Sequence, residues 1–587
     1  MKTLELFNCV VSKPSNDEIF ISEDGYIVDS NAVWAKDKIV QYYRSQRLSG
    51  NDLNKTFYKS FATVLSKTRS EIWVDQVIHY WSTYGSNFQS EVWIPEQIVQ
   101  IPKLKICYKI IRGIPKEQMI EKCLAMLSSG IALKEETLNT VLSVLTDELG
   151  YQFTGEEVIR NKEAVVKIAD LYGVLPVDTM EFFRYCIFRA TNETLLIKNH
   201  NAVNKIKESS FNPGPLFEKH GLSRLATIFN RYKPLFLAFK NKCPRVINII
   251  SKLSKTNHQP MVQNPLNFVT SQKLKDSDMH WLDNATPFAT FKALQALQSR
   301  IGGQNVFNYR IRNGKSWCVD ANKAKISVVS YNLSKIVSYL ATKYNLKGKK
   351  IFIPKDVEYA LPTSEKMFVG NVPTGTKFLH KNLILGIYWE NGWGSRDIDL
   401  SAVAVDEKIG WNSRFVSDEM VYSGDVIDAS DGAAEYLALK SIIKSPKIVY
   451  ANISRGESES EYKIVLSHDE EPTRVNRNYV VDPDKVIAEI KTKSVEKSNV
   501  LGFLMPDEDS NSFVLLNFGS GSARVSTTGG NRLQALYQQY RNPLSFNWLV
   551  KFLGAKIVNS PKNADFDFSL DKLDKDSFIK IFERKNG

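Results

Sequence analysis

Two aspartates separated by one residue, Asp397 and Asp399, follow a glycine-rich turn and open an apolar, strand-like segment. In a β-strand, residues i and i+2 face the same side and lie about 6–7 Å apart along the strand. Two carboxylates held this close repel each other unless a cation, a hydrogen-bond donor or water lies between them. A hard cation is the natural partner, since calcium takes roughly 6–8 oxygen ligands at about 2.3–2.6 Å. The pair therefore predicts a strand with a polar site on one face.

Short motifs surround this pair in a fixed order. They are Val372-Pro-Thr-Gly375 and Leu385-Gly-Ile-Tyr-Trp389 before it, then Val421-Tyr422, Ser430-Asp-Gly-Ala433 and Lys447-Ile-Val-Tyr450 after it. With Asp397-Ile-Asp-Leu-Ser-Ala402, this ordered set resembles the TerD family of bacterial tellurium-resistance and stress-response proteins. The resemblance covers roughly residues 370–520.

The resemblance implies an antiparallel β-sandwich that binds calcium. Its Asp-Leu-Asp-Ala-Ser strand corresponds to Asp397 and Asp399, with Asp431 as a third candidate ligand and Asp425 as a weaker one. The sequence departs from the family where an acidic loop completes the metal sites, because Glu435–Lys440 and a lysine-containing segment stand there instead. The alternative is that Asp397 and Asp399 are solvated strand-end residues, or accept hydrogen bonds from the preceding turn.

Patterning along the chain predicts an N-terminal, mainly α-helical region followed by this sandwich. A length of 587 residues suits three or four domains, and 43% hydrophobic with 24% charged residues is typical of a globular protein. The predicted segments are a short β segment (1–28), a basic α-helical domain (29–255), a loop with helical and hairpin parts (256–350), the TerD-like sandwich (351–530) and a C-terminal helix and tail (531–587).

Other classes of protein find little support in the sequence. The six cysteines form no Cys-x-x-Cys pair, which favours reduced thiols in a cytoplasmic protein over a disulfide framework or a zinc site. We expect no signal peptide and, without a run of 18 apolar residues, no membrane span. Phosphate-binding loops, nucleophile elbows and zinc-protease motifs are missing, so we expect a protein that is not an enzyme.

The net charge of +13 is unevenly distributed. Residues 351–587 carry 29 Lys and Arg against 33 Asp and Glu, whereas residues 1–350 carry 48 against 31. A basic half can bind RNA or another polyanion. Lysine-rich helix faces that are simply solvated would give the same net positive charge. Basic and aromatic residues alternate most densely in one segment, whose candidate RNA contacts are Arg300, Phe307, Tyr309, Arg310, Arg312, Lys315 and Trp317.

That segment has a second interpretation. Gly302-Gly303 and Asn313-Gly314 favour a β-hairpin, whose aromatic residues would pack on the helical core while its arginines stay in water. A further basic and aromatic stretch, Arg224–Lys242, fits a helix with an apolar stripe, and Pro234 should kink or restart it.

Three functions follow from these patterns. The first is a non-enzymatic stress-response or tellurium-resistance-type protein with a calcium-binding module and a helical domain that recruits a protein partner. The second is an RNA-binding protein that uses the basic helical domain. The third is a structural component of a larger bacterial or phage assembly.

Overall fold

The chain forms two compact units, Met1–Pro115 together with Val269–Phe582, and Lys116–Phe268. The first is called the sheet unit and the second the helical unit. In the computed structural model, the residues described are 1–15, 18–56, 67–84, 105–257, 265–303, 306–310, 316–320, 325–392, 394–471, 481–519 and 532–582.

The first 115 residues are part of the sheet unit. Their helices are α1 (Lys2–Phe7), α2 (Lys36–Gln46), α3 (Gly50–Leu53) and α4 (Arg69–Tyr84), and their strands are β1 (Cys9–Val11), β2 (Phe20–Ile21), β3 (Tyr26–Val28) and β4 (Lys109–Ile114). The strands form one sheet in the order β1-β4-β3-β2. The predicted β segment 1–28 therefore starts with a helix, which ends where Asn8 adopts a left-handed backbone conformation.

The helical unit is built from amphipathic helices. They are α5 (Lys116–Ser128), α6 (Glu135–Ser143), α7 (Lys162–Tyr172), α8 (Thr179–Thr191), α9 (His200–Glu208), α10 (Gly214–His220), α11 (Leu222–Phe229), α12 (Lys233–Ala238) and α13 (Pro244–Leu253). A further helix, α14 (Pro265–Ser271), begins in this unit and ends in the sheet unit, because the helical unit ends at Phe268. Pro234 does restart the chain, because α12 begins at Lys233 after a break that follows Phe229. Aromatic rings fill the core, where Phe183 and Phe236 stack with their centroids 3.9 Å apart.

The rest of the sheet unit is mostly β. Its helices are α15 (His280–Asn284), α16 (Pro287–Ile301), α17 (Ile326–Lys343), α18 (Arg532–Tyr540), α19 (Phe546–Phe552) and α20 (Ser577–Lys580). Its strands are β5 (Val306–Arg310), β6 (Ser316–Asp320), β7 (Lys350–Phe352), β8 (Val357–Glu358), β9 (Phe368–Val369), β10 (Val372–Pro373), β11 (Lys377–His380), β12 (Leu383–Trp389), β13 (Asp397–Val403), β14 (Lys408–Gly410), β15 (Met420–Tyr422), β16 (Ala433–Leu439), β17 (Lys447–Arg455), β18 (Glu461–His468), β19 (Val486–Lys493), β20 (Ser498–Pro506), β21 (Asn511–Gly519), β22 (Lys556–Val558) and β23 (Phe566–Asp567).

Two antiparallel sheets dominate this part of the chain. One has seven strands in the order β14-β13-β17-β20-β21-β11-β8, and the other has five in the order β15-β16-β12-β18-β19. They meet where β13 of the first sheet contacts β16 of the second. An N-terminal helical region followed by C-terminal antiparallel sheets is thus what the sequence predicts and what the chain forms.

Segments from both ends of the chain cover these sheets, which explains why the units differ from the predicted domains. Leu48 and Leu53 pack with Tyr436 and its neighbours on the five-stranded sheet, and the Tyr436 hydroxyl donates to the Leu53 carbonyl at 2.5 Å. Helix α18 packs through Leu536 on the seven-stranded sheet. Strands β22 and β23 pair with β7, so residues 531–587 contain more than a helix and a tail. The β region thus includes chain that the sequence assigns elsewhere.

Candidate metal centre

Strand β13 carries the predicted aspartate pair. Asp397 and Asp399 are 7% and 2% exposed, so neither is a solvated strand-end residue. Between them Ile398 has no solvent exposure. The neighbouring strand β17 has a register irregularity opposite Asp397, and Ser454 there donates a hydrogen bond to Asp397 Oδ2 at 2.6 Å. A bulge of this kind re-aims side chains next to a site.

A third carboxylate, Asp425, reaches the pair from the segment after β15. Asp425 is 1% exposed and follows Gly424, whose φ of 108° lies in the region that favours glycine. Hydrogen bonds from the adjacent strand hold this segment, since Ser423 Oγ accepts from the Tyr436 amide at 2.9 Å. Carboxylate oxygens of Asp397, Asp399 and Asp425 all lie within 4.8 Å of one another.

Asp431, the third predicted ligand, lies elsewhere. It is exposed and stands outside the three-carboxylate cluster. Its backbone carbonyl accepts a hydrogen bond from Lys55 Nζ. The structure therefore brings together three of the four predicted metal-binding aspartates, and the one treated as the weaker candidate, Asp425, occupies the third position.

Glu435 belongs to the candidate site, and the sequence patterns did not point to it. It is completely buried on β16, where Oε2 accepts from the Leu400 amide at 2.7 Å and Oε1 from the Val426 amide at 3.0 Å. One side chain thereby ties strand β13 to the segment that carries Asp425. The sequence did contain a signal for it, because Glu435 is the one charged residue in the apolar segment Ala433–Leu439. A carboxylate buried in such a strand needs hydrogen-bond partners.

Burial and mutual repulsion dominate the electrostatics of the cluster. Burial, followed by the negative charges of Asp397 and Asp425, raises the pKa of Asp399 to about 8. Burial also raises the pKa of Asp397, against the opposing effects of Ser454 and Arg455. The pKa of Glu435 lies well above its usual range, because it is fully buried beside Asp425 and Asp399. At neutral pH, the metal-free site therefore holds fewer negative charges than carboxyl groups.

Two buried oxygens point to a missing partner. Among the described residues, Asp397 Oδ1 and Asp399 Oδ2 have no hydrogen-bond donor, and neither side chain forms an ion pair. Such groups are rare in folded proteins because each costs about 1–3 kcal/mol. Three converging carboxylates are hard oxygen donors, which suit calcium or another hard divalent cation. The residues present therefore fit a metal ion of this class.

The structure describes the backbone of the predicted RNA-contacting segment only in part. Strands β5 and β6 pair antiparallel with Tyr309 opposite Trp317, and Phe307 and Arg310 lie on β5, so the predicted hairpin forms. Arg300 stands near the end of α16, where its guanidinium donates to the Ala296 carbonyl at 2.9 Å and burial lowers its pKa. Arg312 and Lys315 lie outside the described residues.

Comparisons with known proteins gave no match. No family model, curated protein or solved structure matches it. Within the described part of the chain, the longer helices are too polar or too short to cross a bilayer.

Proposed function

We propose that the antiparallel-sheet region is a TerD-like β-sandwich module that binds one calcium ion through Asp397, Asp399 and Asp425. The observation that carries this proposal is the buried carboxylate cluster, in which one oxygen each of Asp397 and Asp399 accepts no hydrogen bond from any described residue. A bound divalent cation would neutralise the repulsion that raises the pKa of Asp399. The ion would neutralise the negative charges of Asp397 and Asp399 on β13 and of Asp425 in the segment that follows β15.

The role of the module would be binding in a stress response, rather than turnover. The order of TerD-like motifs between Val372 and Tyr450 supports this class of function. Free, buried thiols at Cys107, Cys186 and Cys243 support a cytoplasmic location. The helical unit would then supply the contact with a further molecule.

Calcium-dependent stability of the full-length chain tests this proposal. The whole chain is needed because Leu48 and Leu53 cover the sheet that carries Glu435. A ligand that binds only the native state stabilises it by about 2.7 kcal/mol at a hundred times its Kd. We expect calcium to raise the Tm of the wild type, and the double variant Asp397→Asn/Asp399→Asn to lose the shift.

Asp431→Asn is the matched control, since it removes an exposed aspartate of the same region. It should keep the full calcium shift. Magnesium and calcium titrated in parallel would show which hard cation the site prefers. Absence of any shift in the wild type with either ion, or an equal loss in Asp431→Asn and the double variant, would refute the proposed site.

A further inference from the structure

Charge is segregated along the helical unit. Residues 116–181 carry six Lys and Arg against twelve Asp and Glu. Residues 219–257 carry nine Lys and Arg and no Asp or Glu at all. This second stretch, which we call the acid-free stretch, contains Lys219, Arg224, Arg231, Lys233, Lys240, Lys242, Arg245, Lys252 and Lys255.

The fold separates the apolar residues of the acid-free stretch from its cations. Leu225, Phe236 and Ile247 are fully buried in the core of the unit. Eight of the nine cations are exposed, and Lys242 is half-buried. Helices α11, α12 and α13 thus turn most of their apolar side chains inward, with Leu237 and Ile249 as exposed exceptions, and leave the charged side chains in water.

Within the part of the chain that the structure describes, the cations of the acid-free stretch have no acidic partners. None of the nine forms an ion pair with any described residue. Two cations earlier in the helical unit do form ion pairs, since Arg184 pairs with Glu181 at 2.9 Å and Lys205 pairs with Glu193 at 2.6 Å. A surface of this kind attracts a polyanion, since no carboxylate of the described residues is paired with its charges.

Spacing along α13 suits a regular array of phosphates. Arg245 and Lys252 are seven residues apart, so they lie on one face of the helix about 10 Å from each other. A nucleic-acid duplex carries one negative charge per about 1.7 Å of its axis, so both cations can meet a phosphate at once.

Aromatic rings in the acid-free stretch are unavailable for base stacking. Phe229, Tyr232, Phe236 and Phe239 are buried, and His220 stacks on Phe182 with ring centroids 4.0 Å apart. Proteins that bind single strands usually present aromatic side chains on which bases stack. A surface with exposed cations and no exposed aromatic ring favours binding to the phosphates of a duplex over stacking on the bases of a single strand.

We propose that the acid-free stretch Lys219–Lys255 is a binding surface for duplex nucleic acid, which it contacts through phosphates without reading the base sequence. The proposal is independent of the metal centre and of the predicted RNA-contacting hairpin. Because every contact is electrostatic, binding should weaken steeply as salt rises.

Fluorescence anisotropy of the full-length protein with a labelled duplex tests the proposal, at salt concentrations from about 50 to 200 mM. The test variant is Lys240→Gln/Arg245→Gln/Lys252→Gln. Loss of three phosphate contacts should reduce the slope of log K against log salt by about 2.7 and weaken binding at least about ten-fold. The charge-conserving variant Lys240→Arg/Arg245→Lys/Lys252→Arg should bind like the wild type.

The matched control is Lys116→Gln/Lys162→Gln/Lys198→Gln, which removes the same charge from exposed sites of the same unit. It should bind the duplex nearly as tightly as the wild type. The proposal fails if the control weakens binding as much as the test variant, if the charge-conserving variant also fails to bind, or if the wild type binds no duplex. Tighter binding of a single-stranded oligonucleotide, or binding of phosphatidylserine vesicles without duplex binding, would also overturn it.

Discussion

The sheet unit has a cluster of acidic residues in its interior, whereas the helical unit has a group of basic residues at its surface. In the sheet unit, Asp397, Asp399 and Asp425 converge in the interior. In the helical unit, nine cations of the acid-free stretch lie at or near the surface with no acidic residue among them. The first arrangement is costly to the fold itself, because buried like charges lose their hydration. The second costs the fold little, because water and salt screen exposed charges.

This difference separates two kinds of partner. A buried cluster can be satisfied only by something small enough to enter it, such as a proton or a metal ion. Exposed cations need no partner for the protein to fold. Their electrostatic attraction stabilises a complex only when an extended anion binds along them. The sheet unit should therefore respond to pH and divalent cations through its stability, and the helical unit to salt through its binding.

The largest expected effect is a pH dependence of metal-free stability. The pKa of Asp399 is raised from an ordinary value of 3.8 to about 8, so the folded state holds a proton that the unfolded state releases. The stability that this extra proton gives the folded state is fully present below about pH 4. It is lost as pH rises toward 8, so the free energy of unfolding falls by up to about 1.4 kcal/mol per pH unit. Urea unfolding in EDTA at several pH values between about 5 and 8 measures it.

Two comparisons isolate the role of Asp399 in that dependence. The variant Asp399→Asn has no proton to lose at this position, so its stability should fall less with pH than that of the wild type. Saturating calcium should flatten the wild-type curve as well, because the bound ion favours the ionised carboxylates. A metal-free wild type whose stability is constant or rises from pH 5 to pH 8 would contradict the buried, mutually repelling cluster.

An intermediate effect is expected at Glu435. Replacement by Ala leaves the buried amides of Leu400 and Val426 without their acceptor, which should cost about 2–4 kcal/mol of unfolding free energy. The same change frees the segment that carries Asp425, so the calcium-induced Tm shift should shrink. Chemical denaturation with and without calcium measures both quantities. Asp418→Ala, at an exposed position, is the control and should change neither.

The smallest expected effect concerns the cations of the helical unit. Lys252 is exposed and has no acidic partner among the described residues, so Lys252→Gln should change the free energy of unfolding by no more than about 0.5 kcal/mol. Thermal unfolding of the full-length protein measures this. A loss above about 1 kcal/mol would show that Lys252 supports the fold, and would break the proposed contrast between the two units.

Local patterns recover a large part of the architecture. Apolar runs in the sequence predict strands at Leu383–Trp389, Ile448–Ile453 and Phe513–Phe518, and the structure has β12, β17 and β21 there. Helical periodicity and Pro234 likewise locate α11 and α12. These features depend on residues close together in the chain, where spacing and backbone restriction decide the outcome.

The sequence by itself determined the alternation that puts Asp397 and Asp399 on one face, and the absence of acidic residues between Lys219 and Lys255. The tertiary structure alone decided that Asp425 and not Asp431 completes the cluster, and that Glu435 links its two sides. It also decided that Leu48 and Leu53 cover a sheet built from residues hundreds of positions later. The physical reason is that convergence and burial depend on contacts between distant segments, which spacing along one strand or helix does not encode.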